Sequence, residues 1–140
     1  MPLNNKAFTM AEILVALVVL SVLAGLAFPA YFRTVEQSRS NEAVTNLNII
    51  HMGEKIFRLG SAPTSYWGAG ATTIGAANAA LNVDMSATFF DTISITGAAN
   101  NYTARLTRNN VSGGNGTDWF QYTFTFGNAA PVCTRTTGAC

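Results

Sequence analysis

A long apolar run near the N-terminus limits this chain more than any other feature. Residues 13–32 are all apolar apart from Ser21, Gly25 and Pro29. At about 1.5 Å of rise per residue, a helix of this length covers about 30 Å, which is the thickness of the hydrocarbon core of a bilayer. Few globular domains can bury such a surface. We therefore expect the run to lie in lipid or against other subunits.

The helix is predicted to continue beyond the apolar run. Apolar residues then recur at spacings of three, four or their sums, which indicates an amphipathic helix with one apolar stripe. These residues are Val35, Ala43, Leu47, Ile50 and Phe57. Glu54 and Arg58 are predicted to pair on the wetter side, and Pro29 is expected to kink or locally melt the helix without ending it. The pattern predicts one helix over about 8–59, which stops near Gly60.

The second half of the chain predicts a small antiparallel sheet. Three segments alternate apolar and polar residues, namely 89–96, 102–107 and 119–126, and loops rich in Gly and Asn separate them. Three adjacent strands with short links form a meander, and its apolar face must be covered. The amphipathic half of the long helix is available to cover it. The predicted fold class is therefore α+β, with the helix packed on a small β-meander head.

The alternation also predicts which side chains share a face. In the first strand, Phe89, Ile93 and Ile95 lie on one face, and Asp91 breaks the pattern. In the third strand the predicted apolar face is aromatic. It consists of Phe120, Tyr122, Phe124 and Phe126.

Two cysteines, Cys133 and Cys140, lie close together at the C-terminus. No His or further Cys lies nearby to complete a metal site. An even pair in an exported chain predicts a disulfide, which would hold a C-terminus that otherwise frays. Two free thiols are the alternative.

Charge and motif content disfavour several classes of function. The chain has 8 Lys and Arg residues against 7 Asp and Glu residues, so nothing suggests a nucleic acid partner. His51 is the only histidine, and we expect it to be structural. No Ser/His/Asp or Cys/His arrangement suggests catalysis. We expect no enzymatic activity, no cofactor and no metal.

Glu12 is unusual because a carboxylate at the mouth of a membrane helix is costly and usually functional. If the chain is cut between Ala7 and Phe8, a new α-ammonium group appears at Phe8. Glu12 of one subunit can then pair with the Phe8 amine of another, so that processing permits assembly. Negative charge near a helix N-terminus is also favoured by the helix dipole. The alternative is that Glu12 marks the start of an ordinary signal-peptide hydrophobic region.

The segment FTMAEILVALVVLSVLAGLAFPAYF, residues 8–32, resembles the class III signal segment of type IV pilins and type II secretion pseudopilins. In that family a short basic leader ends before a Phe, a Glu follows four residues later, and a Pro lies near the end of the apolar run. Here these are Lys6, Phe8, Glu12 and Pro29. The motif covers about the first quarter of the chain. Ala7 departs from the family, which normally has Gly before the cut.

The resemblance implies the pilin fold and a sequence of steps. A prepilin peptidase would remove the leader after Ala7 and N-methylate Phe8. The subunit would wait in the bacterial inner membrane until an assembly platform with its ATPase extracts it into a helical fibre on the cell surface. A melted helix near Pro29 and Gly25 would help the fibre to pack and stretch.

These expectations divide the chain into a leader, a membrane or fibre-core half-helix, and a head. Their boundaries are 1–7, 8–32 and 33–140. Within the head we expect an amphipathic half-helix at 33–59, a connecting loop at 60–88, the meander at 89–126 and a Cys loop at 127–140. The connecting loop is expected to contain a short helical turn around 76–81.

The sequence leaves four alternative functions open. These are a pilus subunit, a pseudopilin of a secretion system, a secreted β-rich binding domain, and a single-pass membrane protein that never polymerises. The C-terminal Cys pair and the lack of an acidic calcium loop favour the pilus. The secreted domain would be cut by an ordinary signal peptidase after Ala27.

Overall fold

A computed structural model describes residues 8–61, 65–86, 88–108, 118–136 and 138–139. The chain forms two units, one ending at Ser38 and the other beginning at Arg39. One α-helix, α1 (Met10–Gly60), contributes its first part to the N-terminal unit and its second part to the C-terminal unit. We call the C-terminal unit the head.

Helix α1 confirms the prediction of a single helix over about 8–59. After its last residue, Gly60, the hydroxyl of Ser61 bonds to the Arg58 carbonyl at 3.3 Å and to the Ser65 carbonyl at 3.0 Å, which turns the chain away. Pro29 lies inside the helix. All of α1 is described, and it is helical on both sides of Pro29, so this structure does not have the local melting predicted there.

Within the described residues, the head contains a six-stranded antiparallel meander in which each strand pairs with the next along the chain. The strands are β1 (Gly70–Thr73), β2 (Phe90–Gly97), β3 (Asn101–Arg108), β4 (Trp119–Thr125), β5 (Val132–Arg135) and β6 (Gly138–Ala139). A short helix, α2 (Ile74–Leu81), follows β1. The predicted α+β class is confirmed, and the three predicted strands correspond to β2, β3 and β4. The outer strands escaped prediction because they have two to four residues and no apolar alternation.

A β-bulge changes which phenylalanine enters the core. Phe90 pairs with Arg108, whereas Thr92 pairs with Thr107, so Asp91 is an extra residue on β2. Phe90 is consequently 1% exposed, and Phe89 is only half-buried. The sequence predicted Phe89 on the inner face, but Phe90 takes the fully buried position and Phe89 packs against the core only partly buried, because an uninterrupted period of two cannot anticipate the extra residue.

The amphipathic half of α1 covers the sheet, as predicted. Ala43, Leu47 and Ile50 are fully buried against the inner face of the strands, where Ile93 and Leu106 are also fully buried. Within the meander the predicted aromatic face of β4 holds for Phe120, Tyr122 and Phe124. Phe126 lies in the turn after β4 and is 58% exposed, so its predicted place on the inner face was wrong.

Polar contacts fix the register of α1 on the sheet. The Tyr122 hydroxyl donates to the Asn48 side chain at 3.0 Å. His51 Nδ1 lies 2.6 Å from the Tyr102 hydroxyl, and burial together with the charge of Lys55 lowers the His51 pKa. His51 therefore has the structural role that its isolation in the sequence suggested.

Glu54 does not lie on the wetter side of α1. Its side chain is fully buried, and Oε2 accepts a hydrogen bond from the Trp67 backbone N–H at 2.8 Å. Arg58 instead donates from Nε to the Ala99 carbonyl at 3.2 Å. The predicted Glu54–Arg58 pair was wrong because residues 65–69 pack over a second side of α1, and the periodicity of the helix alone does not reveal that cover.

Gly97 permits a close approach between β2 and the segment that covers Glu54. A Cβ atom at Gly97 would lie 2.2 Å from the Trp67 carbonyl oxygen and 2.4 Å from that of Tyr66. Backbone atoms cannot swing aside, so Gly97→Ala is expected to lower the free energy of unfolding by about 3 kcal/mol. Gly75→Ala in α2 is the matched control, since nothing lies within 4 Å of the added Cβ. Urea unfolding of both variants and the parent would measure the unfolding free energies. A Gly97→Ala variant as stable as the parent would contradict the prediction.

Cys133 lies in β5 and forms a disulfide. Cys140 lies outside the described residues, so its pairing with Cys133 remains a prediction. Alkylation of the denatured chain without reductant should label neither cysteine, and prior reduction should expose both. Labelling of both cysteines without reductant would refute the disulfide.

Candidate functional site

The N-terminus of α1 is closed by a reciprocal pair of hydrogen bonds between Thr9 and Glu12. Thr9 Oγ1 accepts from the Glu12 backbone N–H at 3.2 Å, and Glu12 Oε2 accepts from the Thr9 backbone N–H at 2.9 Å. The Thr9 hydroxyl also donates to Oε2 at 2.9 Å. This is a capping box, which satisfies N–H groups that a helix leaves without partners. The Thr-x-x-Glu spacing is the signature of this cap in the sequence, and the cap was not among the predictions above.

The cap leaves part of the Glu12 carboxylate accessible. Oε2 carries both bonds from Thr9, whereas Oε1 accepts none from the part of the chain that the structure describes. Glu12 is exposed, and Phe8 is 81% exposed. Because the cap does not involve Phe8, a cut before Phe8 leaves it intact. Glu12 can therefore cap its own helix and still present a charged oxygen to a neighbouring molecule.

Within the described residues Glu12 bonds to Thr9 and not to Phe8, so the predicted pairing of Glu12 with the Phe8 amine would have to form between two chains. Ala7, the other side of the predicted cleavage bond, lies outside the described residues. The cleavage and the intermolecular pair therefore remain predictions.

The apolar run of α1 is uncovered in the single chain. Its large side chains between Ile13 and Phe32 are 49–73% exposed. The helix is long and apolar enough to cross a membrane, judged by length and composition. Within the run, the Ser21 hydroxyl donates to the Val18 carbonyl at 2.7 Å, so this polar side chain can enter an apolar environment at little cost. Such a surface requires lipid or other copies around it.

Gly25 and Pro29 are four residues apart in this run. Pro29 has no N–H, so it cannot donate the helical hydrogen bond to the Gly25 carbonyl. A Cβ added at Gly25 would meet nothing within 4 Å. Packing within the chain therefore does not require glycine there, and its predicted role in assembly would have to come from contacts with other chains.

The described residues do not form a metal centre. Among them, no group of three or more His, Cys, Asp or Glu side chains is placed to hold a metal ion. The buried carboxyl of Glu54 contacts the Trp67 backbone and serves the packing of the head.

Comparisons with known proteins match part of the chain to a family model and to a pilin. Residues 2–28 match the family model of the prokaryotic N-terminal methylation motif. The chain is also similar to the type IV major pilin protein PilA of Myxococcus xanthus (strain DK1622), with 30% identity over 54 residues, or 39% of this chain. That match spans 24% of the relative's length. No solved structure matches the chain.

The motif match includes Phe8 and Glu12, the residues that the structure places at the capped start of an exposed apolar helix. The helix then covers an antiparallel sheet, as the pilin fold requires. The methylation motif at residues 2–28, the partial similarity to a type IV major pilin and the α+β architecture together make this chain similar to the type IV pilins.

Proposed function

We propose that this chain is a structural subunit of a type IV pilus-like fibre and that it polymerises through residues 8–32. The observation that carries the proposal is the exposed apolar half of α1, which begins at a capped N-terminus with the methylation motif. In the membrane, lipid covers this surface. In a fibre, the same surface on other copies replaces the lipid.

The proposed precursor is processed before assembly. A prepilin peptidase cuts after Ala7 at the cytoplasmic face of the inner membrane and methylates the Phe8 amine. The freed ammonium then pairs with Glu12 of a neighbouring subunit, and the capping box supports this because it leaves Oε1 accessible. An assembly platform with its ATPase moves the subunit from the inner membrane to a fibre on the cell surface.

Each proposed segment has one task. Residues 1–7 form the leader and 8–32 the membrane anchor and later fibre core, while 33–140 remain outside the core and carry the head to the fibre surface. An ordinary signal peptide cut after Ala27 is disfavoured because it would divide α1, which runs as one helix from Met10 to Gly60.

Fibres sheared from cells test this function. In a strain that produces the chain, gold-labelled antibodies against the head should decorate the sheared fibres along their length, and deletion of the gene should remove the label. If the surface fibres of the producing strain carry no label, and deletion leaves those fibres unchanged but stops protein secretion, the subunit is a pseudopilin instead. A chain confined to membranes in fibre-bearing cells that also secrete normally would refute both assignments.

A further inference from the structure

An open pocket of about 310 Å³ lies on the head beside the end of α1. Lys55, Arg58 and Leu59 of α1 form one wall. Tyr66 and Phe124 line it as well, and the turn after β4, from Phe126 to Asn128, completes it. A volume of this size is at the small end of the range for ligand sites and suits a single-ring molecule.

Arg58 is fixed in this pocket before any ligand arrives. Its Nε donates to the Ala99 carbonyl at 3.2 Å. The guanidinium carbon lies 3.9 Å from the centre of the Phe126 ring and 5.3 Å from that of Tyr66. These contacts use one donor and the flat face of the guanidinium, so its terminal N–H groups at Nη1 and Nη2 can still donate. A guanidinium held in this way loses little freedom on binding and suits two-point recognition of carboxylate or phosphate.

The charge around Arg58 also favours an anion. Lys55 lies three residues earlier on α1, with its Nζ 5.8 Å from the centre of the Phe124 ring. No Asp or Glu is among the described residues that line the pocket. The neighbouring Glu54 is fully buried and bonds to the Trp67 N–H. The pocket therefore presents two cations against apolar and aromatic walls.

We propose that this pocket binds a small organic anion, namely a carboxylate or phosphate carried on a single ring with an apolar face. The anionic group bonds to the terminal N–H groups of Arg58 and is attracted by Lys55. The ring packs against Tyr66, Phe124 and Leu59. This activity is separate from fibre assembly, because the pocket lies wholly within the head and needs no second subunit.

Titration of the ¹⁵N-labelled full chain in non-ionic detergent micelles tests the proposal. The probes are benzoate, phenyl phosphate, inorganic phosphate and the neutral amide benzamide. We expect saturable NMR shifts at Gly127 and the Arg58 Nε–H with benzoate, phenyl phosphate or both, whichever anion the pocket prefers. Inorganic phosphate should bind at least about tenfold more weakly because it lacks the ring. Benzamide should give no saturable shift.

Three variants locate the binding. Arg58→Gln should weaken binding of the anionic rings at least about tenfold, and Lys55→Gln should weaken it less. Arg135→Gln removes an exposed cation on β5, outside the pocket, and should leave binding unchanged. If Arg58→Gln fails to fold, Lys55→Gln decides the matter, since Lys55 is exposed and its loss should not disturb the core.

Three results would overturn the proposal. The first is no saturable shift with either anionic ring. The second is benzamide or inorganic phosphate binding as tightly as those rings, which would remove the role of the charge or of the ring. The third is Arg135→Gln weakening binding as much as Lys55→Gln, which would mean general charge attraction rather than a site.

Discussion

Replacement of Glu12 by alanine is expected to abolish fibre formation and leave a folded chain in the membrane. The substitution removes the carboxylate that would neutralise the Phe8 ammonium of a neighbouring subunit in the apolar fibre core. Loss of one partner of a buried ion pair costs about 3–5 kcal/mol. This corresponds to at least about a hundredfold loss of assembled subunit. The yield of sheared fibres, measured against the amount of chain in membranes, gives the effect.

Two matched variants separate the charge of Glu12 from its capping role. Glu12→Gln retains an oxygen that can accept from the Thr9 N–H but has no charge. Thr9→Ala removes the hydroxyl side of the cap, which costs about 1 kcal/mol of helix stability, and keeps the carboxylate. We expect Glu12→Gln to be as defective as Glu12→Ala and Thr9→Ala to assemble. Normal fibres from Glu12→Gln would rule out the ion pair.

Replacement of Glu54 by glutamine is expected to stabilise the head at alkaline pH. Burial raises the pKa of the Glu54 carboxyl from 4.5 to about 7, and the bond from the Trp67 N–H only partly offsets this. The hydroxyls of Tyr66 and Tyr102 interact electrostatically with the Glu54 carboxyl, and burial also raises the pKa of both tyrosines. At pH values above the folded pKa, the fold must hold a buried charge.

The sign of the pH effect follows from the direction of this pKa change. Because the folded pKa is the higher one, the contribution of Glu54 to stability is fully present below about pH 4.5 and is lost as the pH rises through about 7. The loss amounts to about 3 kcal/mol. Glu54→Gln should therefore exceed the parent in unfolding free energy by about that amount at alkaline pH and by little at acid pH.

Reversible urea unfolding of the full chain in non-ionic micelles measures this difference. Both tryptophans, Trp67 and Trp119, lie in the head, so their fluorescence reports on the head alone. Asp91→Asn, at the exposed position of the β-bulge, is the control and should not reproduce the effect. Equal stability of Glu54→Gln and the parent at both pH extremes would show that the carboxyl is not held in a costly environment.

Much of the fold was predictable because its main elements have strong local periodicity. The 51 residues of α1 show first an unbroken apolar run and then a helical stripe, and β3 alternates cleanly. The edge strands β1 and β6 are set by pairing with a neighbour, and their own residues carry little signal. The bulge at Asp91 is likewise a property of two strands together.

Part of the candidate site could also be predicted from the sequence. The spacing of Phe8, Glu12 and Pro29 is local, so one sequence suffices to find it. The cap between Thr9 and Glu12 is equally local, since the Thr-x-x-Glu spacing is its signature in the sequence. The burial of Glu54 and the fixing of Arg58 depend on residues far along the chain, Trp67 and Ala99, and no local pattern gives them.

The N-terminus of the protein in cells decides whether this chain is a processed fibre subunit. Intact mass and N-terminal sequence should be measured on protein from sheared surface material and from membranes. We predict that the chain in the sheared material begins at Phe8 and carries one added methyl group. A chain beginning at Phe28 would make it an ordinary secreted domain, and an intact Met1 in both fractions would mean that the leader is never removed; either result would contradict the proposed function.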